Sequence, residues 1–455
     1  MESIFDIPAD LHTPVSAYMR LAPLQPRYLL ESVEGGHTGR YSFIGFGRTR
    51  RFTIEDDGVY EDDRLVGHDL LGSLRKALAD TPVCEPFDPR AEPFGGGLVG
   101  VAAFDLVRRL YRLSEKSHPN IGPDGIYLAT DSILVFDHLT RRIALLHAGS
   151  ETDRAALRRE VVNILSSALD RSHGPADHGP ATPSMSREEF ISGVETVKRH
   201  IAAGDVYQLV LSIRFTGETR VDPFAVYRGL RLLNPSPYMY FIDTGDRQVV
   251  GSSPEALARL HGGRAELRPI AGTRPRGASE DEDARLEREL LGDPKEAAEH
   301  VMLVDLARND LGRTARAGSV IVEPYRTIER YSHVMHMVSG VTAELRDGLD
   351  AFDLFAASFP AGTVSGAPKL RAIEIIDELE PVSRGLYSGS IGYFGHGGLM
   401  DQAITIRTLV FSDGRYTYQA GAGIVADSDP EAEHHEVLSK GAALESALQL
   451  AKEGL

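Results

Sequence analysis

The strand-like segments of this 455-residue sequence are grouped between blocks of helical segments and do not alternate strictly with them. Apolar residues at a period of two mark the strands, and spacings of three and four behind capping residues mark the helices. A parallel sheet needs a crossover connection, usually a helix, between successive strands, so strict alternation is typical of a doubly wound fold. The grouping therefore predicts an α+β fold built on antiparallel sheet.

Most of these segments lie after residue 186. There we predict strands at 207–215, 238–243, 248–252, 390–395, 401–410 and 415–420, and helices at 187–203, 223–233, 281–291, 294–312, 350–357, 368–378 and 430–453. Before it, strands are predicted around 51–54 and 133–136, and helices at about 68–79 and 152–170.

A stretch rich in Gly, Pro and His, residues 171–185, has no hydrophobic period and predicts a linker. We therefore expect an N-terminal domain at 1–170 and a larger domain at 186–455, with the two packed as one unit.

The composition limits the classes of function. Hydrophobic residues make up 42% and charged residues 25%, as in ordinary globular proteins. The net charge of −17 weighs against a general nucleic-acid or anionic-membrane surface. One cysteine, Cys84, excludes an internal disulfide and a cysteine-rich metal cluster. The sequence starts without a signal-peptide pattern and contains no apolar run of about 18 residues, so we expect a cytoplasmic protein.

Glycines at 95–100 match the dinucleotide-binding pattern G-x-G-x-x-G in letters only. Such a site needs a strand before the glycines and a helix after them. Here residues 99–104 resemble a strand, and a proline precedes the glycines. We expect these glycines to allow close backbone packing instead.

Two predicted helices carry pairs of glutamates three residues apart, Glu296 with Glu299 and Glu433 with Glu436. Residues at this spacing lie on one helical face. If the helices meet, four carboxylates face each other, and a hard cation such as Mg²⁺ would relieve their repulsion. Alternatively, both faces are solvated and Glu436 forms a surface pair with Lys440. The sequence leaves both interpretations open.

Other candidate residues are isolated in the sequence. Glu255 follows a Ser-Pro pair and can present a carboxylic acid or belong to a polar turn. His336 lies in a strand-like run, where a lone histidine is more often structural. Thr363 can bind an anion or cap the next helix. Gly421 and Gly423 can direct backbone N–H groups at an anion or form a β-bulge.

Several of these segments occur together in an order that resembles the chorismate-utilising enzymes: 204–208, 253–255, 269–273, 299–310, 360–369, 385–389 and 433–440. This resemblance covers about 187–450. Residues 29–32, 39–45 and 94–105 resemble the large subunits of anthranilate synthases. The resemblance implies large antiparallel sheets packed as a sandwich with helices outside.

Two positions discriminate reactions within the family that the sequence resembles. Isochorismate and salicylate synthases carry a water-activating lysine where this sequence has Gln208. Typical aminodeoxychorismate synthases carry a nucleophilic lysine where it has Ala271, which cannot form a covalent adduct. The resemblance therefore implies direct attack by ammonia on chorismate, giving anthranilate.

The resemblance also implies roles for individual residues. Glu255 would be the general acid, and His336 would transfer a proton or position the ring. Thr363, also counted as catalytic, would complete the contacts to the anionic substrate. Mg²⁺ would be held by Glu296, Glu299, Glu433 and Glu436. Chorismate would be contacted by Gln208, Ala271, Gly272, Thr273, Tyr387, Arg407, Gly421, Gly423 and Lys440.

Two partners are implied besides chorismate. Cys84 lacks the setting of an amidotransferase nucleophile, so a separate glutamine amidotransferase subunit is expected to supply ammonia in a hetero-oligomer. L-Tryptophan is expected as a feedback inhibitor, at a site contributed partly by the N-terminal domain. The residues that match the inhibitor contacts are Glu31, Ser32, Pro237, Tyr238 and Met239.

Three alternatives remain at this stage. An aminodeoxychorismate synthase that has lost its lysine would differ in its product. A tryptophan-binding sensor with an inactive site would show no turnover. A purely structural α+β protein would not bind chorismate in a Mg²⁺-dependent manner.

Overall fold

The computed structural model describes residues 4–32, 39–87, 94–113, 118–119, 121–169, 177–330 and 334–454. Residues 170–176, which include the first part of the predicted linker, lie outside the described residues.

The described residues form these β-strands: β1 Phe5–Pro8, β2 Tyr28–Glu31, β3 Tyr41–Glu55, β4 Gly58–Glu61, β5 Arg64–Gly67, β6 Gly97–Ala102, β7 Gly125–Asp137, β8 Arg142–His147, β9 Thr182–Pro183, β10 Gln208–Glu218, β11 Tyr238–Asp243, β12 Gln248–Ser253, β13 Ala256–His261, β14 Arg264–Leu267, β15 Ile270–Pro275, β16 Ile321–Val322, β17 Thr327–Arg330, β18 Val334–Val338, β19 Val341–Glu344, β20 Gly366–Ala367, β21 Ser390–Gly395, β22 Leu399–Ile404, β23 Thr408–Ser412 and β24 Arg415–Ile424.

The α-helices are α1 Pro14–Arg20, α2 Leu70–Asp80, α3 Val107–Leu110, α4 Glu151–Leu165, α5 Arg187–Ala203, α6 Pro223–Leu233, α7 Glu280–Gly292, α8 Pro294–Gly312, α9 Ala351–Ser358, α10 Lys369–Leu379 and α11 Pro430–Glu453. Short 3-10 turns occur at Ala22–Leu24, Phe104–Leu106 and Gly362–Val364.

Hydrogen bonds link 21 strands into one network, and β15, β18 and β17 form a separate three-stranded sheet. All the strand pairs within the described ranges are antiparallel. The predicted α+β class with antiparallel sheet is therefore confirmed.

Strands from the two halves of the sequence pair directly. β6 pairs with β21 along its length, and β2 pairs with β11. One apolar core likewise joins Ile44 and Leu134 to Leu211 and Leu448. The division into domains at 1–170 and 186–455 stays a prediction.

The packing of apolar side chains is that of a sandwich. One core contains residues of strands and connecting loops and no helical residue, with Tyr28, Val101, Val135 and Tyr240 among its members. In the other two large cores, helices cover strands: α1, α4, α5, α6, α10 and α11 in one, and α2, α3, α8, α9 and α10 in the other.

Helices with strong local signals have the predicted bounds. α5, α6, α8 and α11 occupy the predicted 187–203, 223–233, 294–312 and 430–453. α8 and α11 each begin with an Asp-Pro pair, in which the aspartate accepts N–H groups of the first turn and the proline occupies the first helical position.

Several predictions differ from the structure. The helix predicted at 152–170 ends at Leu165, and α1 was not predicted. The predicted linker contains β9, which pairs with β10. The strand predicted at 401–410 is broken between β22 and β23, where Arg407 has a φ of 49°. This left-handed conformation costs free energy for a non-glycine residue, so surrounding structure must hold it.

The glycines at 95–100 allow close backbone packing, as predicted. Residues 97–102 form a strand rather than a helix. A Cβ atom on Gly100 would lie 2.0 Å from the carbonyl oxygen of Ile126 on the neighbouring strand. In the part of the chain that the structure describes, no helix is both long and apolar enough to cross a membrane.

Candidate active site

A cavity of about 610 Å³ lies beside the C-terminal half of the large sheet. It is lined by twelve of the residues predicted to act in catalysis, substrate binding or metal binding: Glu255, Ala271, Gly272, Thr273, Glu299, His336, Thr363, Tyr387, Arg407, Gly421, Gly423 and Lys440. These residues come from segments up to 185 positions apart in the sequence, from Glu255 to Lys440. The antiparallel pairing therefore gathers motifs that the sequence shows only as separate segments.

Four predicted residues do not line the cavity. The Gln208 amide is directly behind Gly423, and a Cβ atom on that glycine would lie 2.7 Å from Gln208 Nε2. Glu296, Glu433 and Glu436 belong to α8 and α11, and of the four glutamates only Glu299 lines the cavity.

Glu255 has the acid strength that proton donation near neutral pH requires. It lies in the connection between β12 and β13, facing the cavity. Burial raises the pKa of its carboxyl to about 7, and the Thr363 hydroxyl, Arg407 and Lys440 oppose this rise. A general acid is most effective when its pKa lies near the working pH.

The surroundings of His336 favour the neutral form of its imidazole. The residue projects from β18, and its Nδ1 lies 2.9 Å from the Thr273 hydroxyl on β15. Burial lowers the pKa of His336, and the charge of Arg407 lowers it to a smaller extent. A hydrogen bond with the backbone of Gly272 and the charge of Glu329 raise it. A neutral ring can both accept and donate a proton.

Cationic and hydroxyl groups surround another part of the cavity. Arg407 donates from Nη1 to Asn234 Oδ1 over 3.3 Å. Burial raises the pKa of Tyr387 to about 12, so its hydroxyl remains a hydrogen-bond donor. Lys440 Nζ donates to the carbonyl of Gly421 over 2.9 Å. These groups suit a carboxylate ligand.

The glutamates of the two helices lie close enough to influence one another's ionisation. Burial first, then the carboxylates of Glu296 and Glu436, raise the pKa of Glu299. Burial and Glu436 also raise the pKa of Glu433. Oxygen donors that repel one another across two helices suit a hard divalent cation, which would offset their charge.

Two of these four glutamates are engaged by cationic side chains. Arg274 Nη1 lies 3.0 Å from Glu296, and Lys440 Nζ lies 2.7 Å from Glu436. The surface pair considered as the alternative is therefore present. Among the residues with described positions, no three His, Cys, Asp or Glu side chains converge as a ready-made metal site. A cation would need Glu296 and Glu436 to leave these partners.

Sequence reasoning missed three polar residues of this region. Asn234, which binds Arg407, gives no signal beyond its place before a proline. Gln419 is the last polar side chain of β24, directly before the run of Ala, Gly and Ile that ends the strand, and this is the signal that was available. Arg384 is buried behind Tyr387, with its guanidinium 5.5 Å from the centre of the Tyr387 ring.

A second group of predicted residues forms a separate cavity of about 390 Å³. All five residues predicted to contact an inhibitor line it: Glu31, Ser32, Pro237, Tyr238 and Met239. Glu31 accepts hydrogen bonds from Tyr227 and from Arg231. Pro237 lines both this cavity and the larger one, so the two are separated by a single segment.

The sequence profile of the chorismate binding enzymes matches residues 25–446. Anthranilate synthase component 1 of Thermus thermophilus is 46% identical over 98% of this chain and 97% of the relative. The protein of that name from Pseudomonas aeruginosa is 45% identical over 99% and 96%.

Solved structures give the same relationship. The crystal structure of anthranilate synthase component I from Streptococcus pneumoniae superimposes with a TM-score of 0.79, at 35% identity, over 96% of this chain and 98% of that one. The menaquinone-specific isochorismate synthase MenF of Escherichia coli, 21% identical with a TM-score of 0.72, shares the fold.

Proposed function

The chain belongs to the chorismate binding enzymes, and on that premise we propose that it converts chorismate and ammonia to anthranilate, pyruvate and water. The observation that carries this proposal is its identity of 42–47%, over at least 97% of the chain, to relatives named anthranilate synthase component 1. The cavity supports it, because a proton donor, an imidazole and carboxylate-binding groups face one space.

The chemistry divides among the chain's own residues. Ammonia adds at ring carbon 2 of chorismate while Glu255 protonates the departing 4-hydroxyl, which leaves as water. The aminated intermediate then loses pyruvate and aromatises. His336 is positioned to move the proton of this second step, while Tyr387 and Arg407 hold a substrate carboxylate. Each assignment is supported by a position on the cavity wall.

We propose Glu296, Glu299, Glu433 and Glu436 as the residues that hold Mg²⁺. The raised pKa values of Glu299 and Glu433 support this, because burial first, and neighbouring carboxylates second, disfavour their ionised forms although Lys295 and Lys440 act in the opposite direction. When bound, Mg²⁺ would neutralise and orient the ring carboxylate of chorismate. Lys440 and Arg274 neutralise part of the charge without it.

We propose that a partner amidotransferase subunit supplies the ammonia. Cys84 is buried, and burial raises the pKa of its thiol to about 12. A thiol so protonated at neutral pH is a poor nucleophile for glutamine hydrolysis. This supports a nitrogen source outside the described part of this chain.

Product analysis tests the proposed reaction. With chorismate, Mg²⁺ and ammonium salt, we expect anthranilate and pyruvate in equal amounts by chromatography. Gln208→Lys should divert part of the chorismate to isochorismate or salicylate, because lysine can activate water where glutamine cannot. Isochorismate or aminodeoxychorismate as the main product of the unmodified protein would contradict the proposal.

At a fixed total ammonium concentration, ammonia-driven activity should rise with pH up to about 7, because only neutral ammonia is nucleophilic. Above that pH, ionisation of Glu255 opposes the further rise. Glutamine-driven activity with the partner subunit should rise less steeply, since that ammonia need not equilibrate with solvent.

We further propose that the 390 Å³ cavity binds L-tryptophan. Its lining combines apolar and aromatic side chains with a buried carboxylate, Glu31, and with Ser32, whose Oγ is buried without a hydrogen-bond partner among the described residues. Such a cavity can accept an aromatic ring and an ammonium group together. The shared Pro237 supports communication with the larger cavity.

Substitutions in this cavity should weaken inhibition while sparing turnover. We expect Ser32→Leu or Met239→Lys to raise the tryptophan concentration for half-inhibition at least about tenfold, the effect of roughly 1.4 kcal/mol of lost binding. Ser167→Leu, on an exposed serine, is the matched control. Unchanged inhibition curves in both variants would place the inhibitor elsewhere, and an unmodified protein insensitive to tryptophan would remove the site.

A further inference from the structure

A second large cavity, of about 640 Å³, adjoins the candidate active site. The two cavities have two lining residues in common, Tyr387 and Gln419. The second cavity is otherwise lined by other residues, from β10, β23 and β24 and from a loop around Ile121. Gln419 is therefore part of a thin wall that separates two spaces.

The Gln419 amide has an unused acceptor. The residue is 6% exposed, and its Oε1 is buried without a hydrogen-bond partner within the described residues. Leaving a buried polar group of this kind unsatisfied costs free energy, because its hydrogen bonds to water are lost without replacement. A group kept at this cost beside two cavities indicates a ligand that donates to it.

The neighbouring hydrogen bonds determine which end of this amide is free. Glu380 is ion-paired with Arg384 at 2.6 Å and can only accept. The Ser212 hydroxyl donates to Glu380 over 2.6 Å, so its oxygen must accept from the amide NH₂ group of Gln419, at 2.8 Å. A flipped amide would lose this bond. The Nε2 atom of Gln419 is therefore the end that faces Ser212, and Oε1 is the end without a partner among the described residues.

We propose that Gln419 Oε1 binds the ammonia nucleophile, and this inference rests on the proposed function. Neutral ammonia has three N–H donors and one lone pair. An acceptor in the wall holds an N–H group and leaves the lone pair to form the new N–C bond at ring carbon 2. Gln419 itself neither gives nor takes a proton; the proton for the departing hydroxyl comes from Glu255.

The alternative donors for this oxygen fit less well. Chorismate carboxylates have no proton to donate, and an amide carbonyl would repel them. The 4-hydroxyl of chorismate is the group assigned to Glu255. Because Gln419 also lines the second cavity, a nitrogen nucleophile can reach it without crossing the space that chorismate occupies.

Gln419→Leu tests this assignment because it removes the acceptor at similar volume. With ammonium salts at fixed pH, we expect the KM for ammonia to rise about three- to tenfold, the effect of one neutral hydrogen bond. The KM for chorismate should change less than twofold. Thermal unfolding reports whether the variant folds, and Gln419→Met, an unbranched alternative, replaces it if it does not.

Gln402→Leu is the matched control. Gln402 is another fully buried glutamine of the sheet, and it lines neither cavity. Its substitution should leave both KM values unchanged.

Three results would overturn the assignment. Unchanged ammonia KM in both Gln419 variants would remove the proposed contact. A rise confined to the KM for chorismate would assign Gln419 to that substrate instead. An equal rise in ammonia KM in the Gln402 control would show a general effect of sheet packing. An unmodified protein that makes no anthranilate would overturn the proposed function itself, which is measured separately.

Discussion

Glu255→Gln is expected to lower kcat about 10²- to 10⁴-fold, the range that a positioned general acid contributes. The amide keeps the size of the side chain and can still donate a hydrogen bond, but it has no proton to transfer to the leaving hydroxyl. The KM for chorismate should change little, because the groups proposed to bind the substrate, Arg407, Tyr387 and Lys440, are unchanged. Steady-state assays with ammonia measure both constants.

The pH dependence of activity distinguishes loss of the Glu255 carboxyl from other effects of the substitution. A carboxyl with a pKa of about 7 is protonated below that pH and ionised above it. At a fixed concentration of neutral ammonia, the unmodified protein should therefore lose activity as pH rises above about 7. In Glu255→Gln this decline should be absent from the residual activity. A decline that persists unchanged in the variant would assign the titration to another group.

Folding stability supplies an independent check on the same residue. The pKa of Glu255 is raised in the folded protein to about 7 from 4.5. The carboxyl therefore contributes most to stability below about pH 4.5, and this contribution is lost as pH rises through 7. Each pKa unit corresponds to about 1.36 kcal/mol, and partial solvent contact reduces the total to about 1–3 kcal/mol.

The Glu255→Gln protein should thus unfold at a higher temperature than the unmodified one at pH 8, although it is less active. Glu378→Gln, on an exposed face of α10, is the control and should change neither property. If the Glu255→Gln protein unfolds at a lower temperature than the unmodified one, its activity loss would be explained by misfolding, and the burial argument would be wrong.

Local chemistry determined which elements the sequence predicts well. α8 begins at Pro294 because Asp293 caps it, and both signals are adjacent in the sequence. The break at 405–407 has no such signal, because the residues on either side continue the strand pattern. Arg407 adopts its left-handed conformation in a tertiary setting that includes Asn234, 173 positions away in the sequence. Tertiary structure thus overrode the local preference for a strand.

The same distinction applies to the sites. The glutamates of α8 and α11 could be paired by helical spacing, but their meeting depends on how the two helices pack on the sheet. The resemblance to known enzymes supplied that juxtaposition as an expectation. It supplied nothing for Gln419. The orientation of the Gln419 amide follows from two hydrogen bonds, one between Gln419 and Ser212, 207 positions apart, and one between Ser212 and Glu380, 168 positions apart. Contacts of this length have no local signature.

Loss of single carboxylates from the glutamate cluster should also produce a large effect. We expect Glu299→Gln and Glu436→Gln each to lower kcat/KM at least about 100-fold at Mg²⁺ concentrations that saturate the unmodified protein. Substituting residues that only support metal ligands already costs about 10- to 100-fold, so loss of a direct ligand should cost no less. Titration of activity with Mg²⁺ measures the effect.

Glu431→Gln is the matched control for this prediction. Glu431 lies on the same helix as Glu436, is exposed, and forms a surface ion pair with Arg187, which contributes little to stability. Its substitution should leave the Mg²⁺ titration unchanged.

Thermal unfolding gives a readout that does not depend on turnover. Mg²⁺ should raise the unfolding temperature of the unmodified protein and of Glu431→Gln, because a ligand that binds the folded state stabilises it. In Glu299→Gln this shift should be lost. Without Mg²⁺ that variant should be at least as stable as the unmodified protein, since a neutral amide relieves the repulsion from Glu296 and Glu436 that raises the pKa of Glu299. Near-normal turnover at saturating Mg²⁺, or an unaltered thermal shift, would show that the substituted glutamates do not bind Mg²⁺.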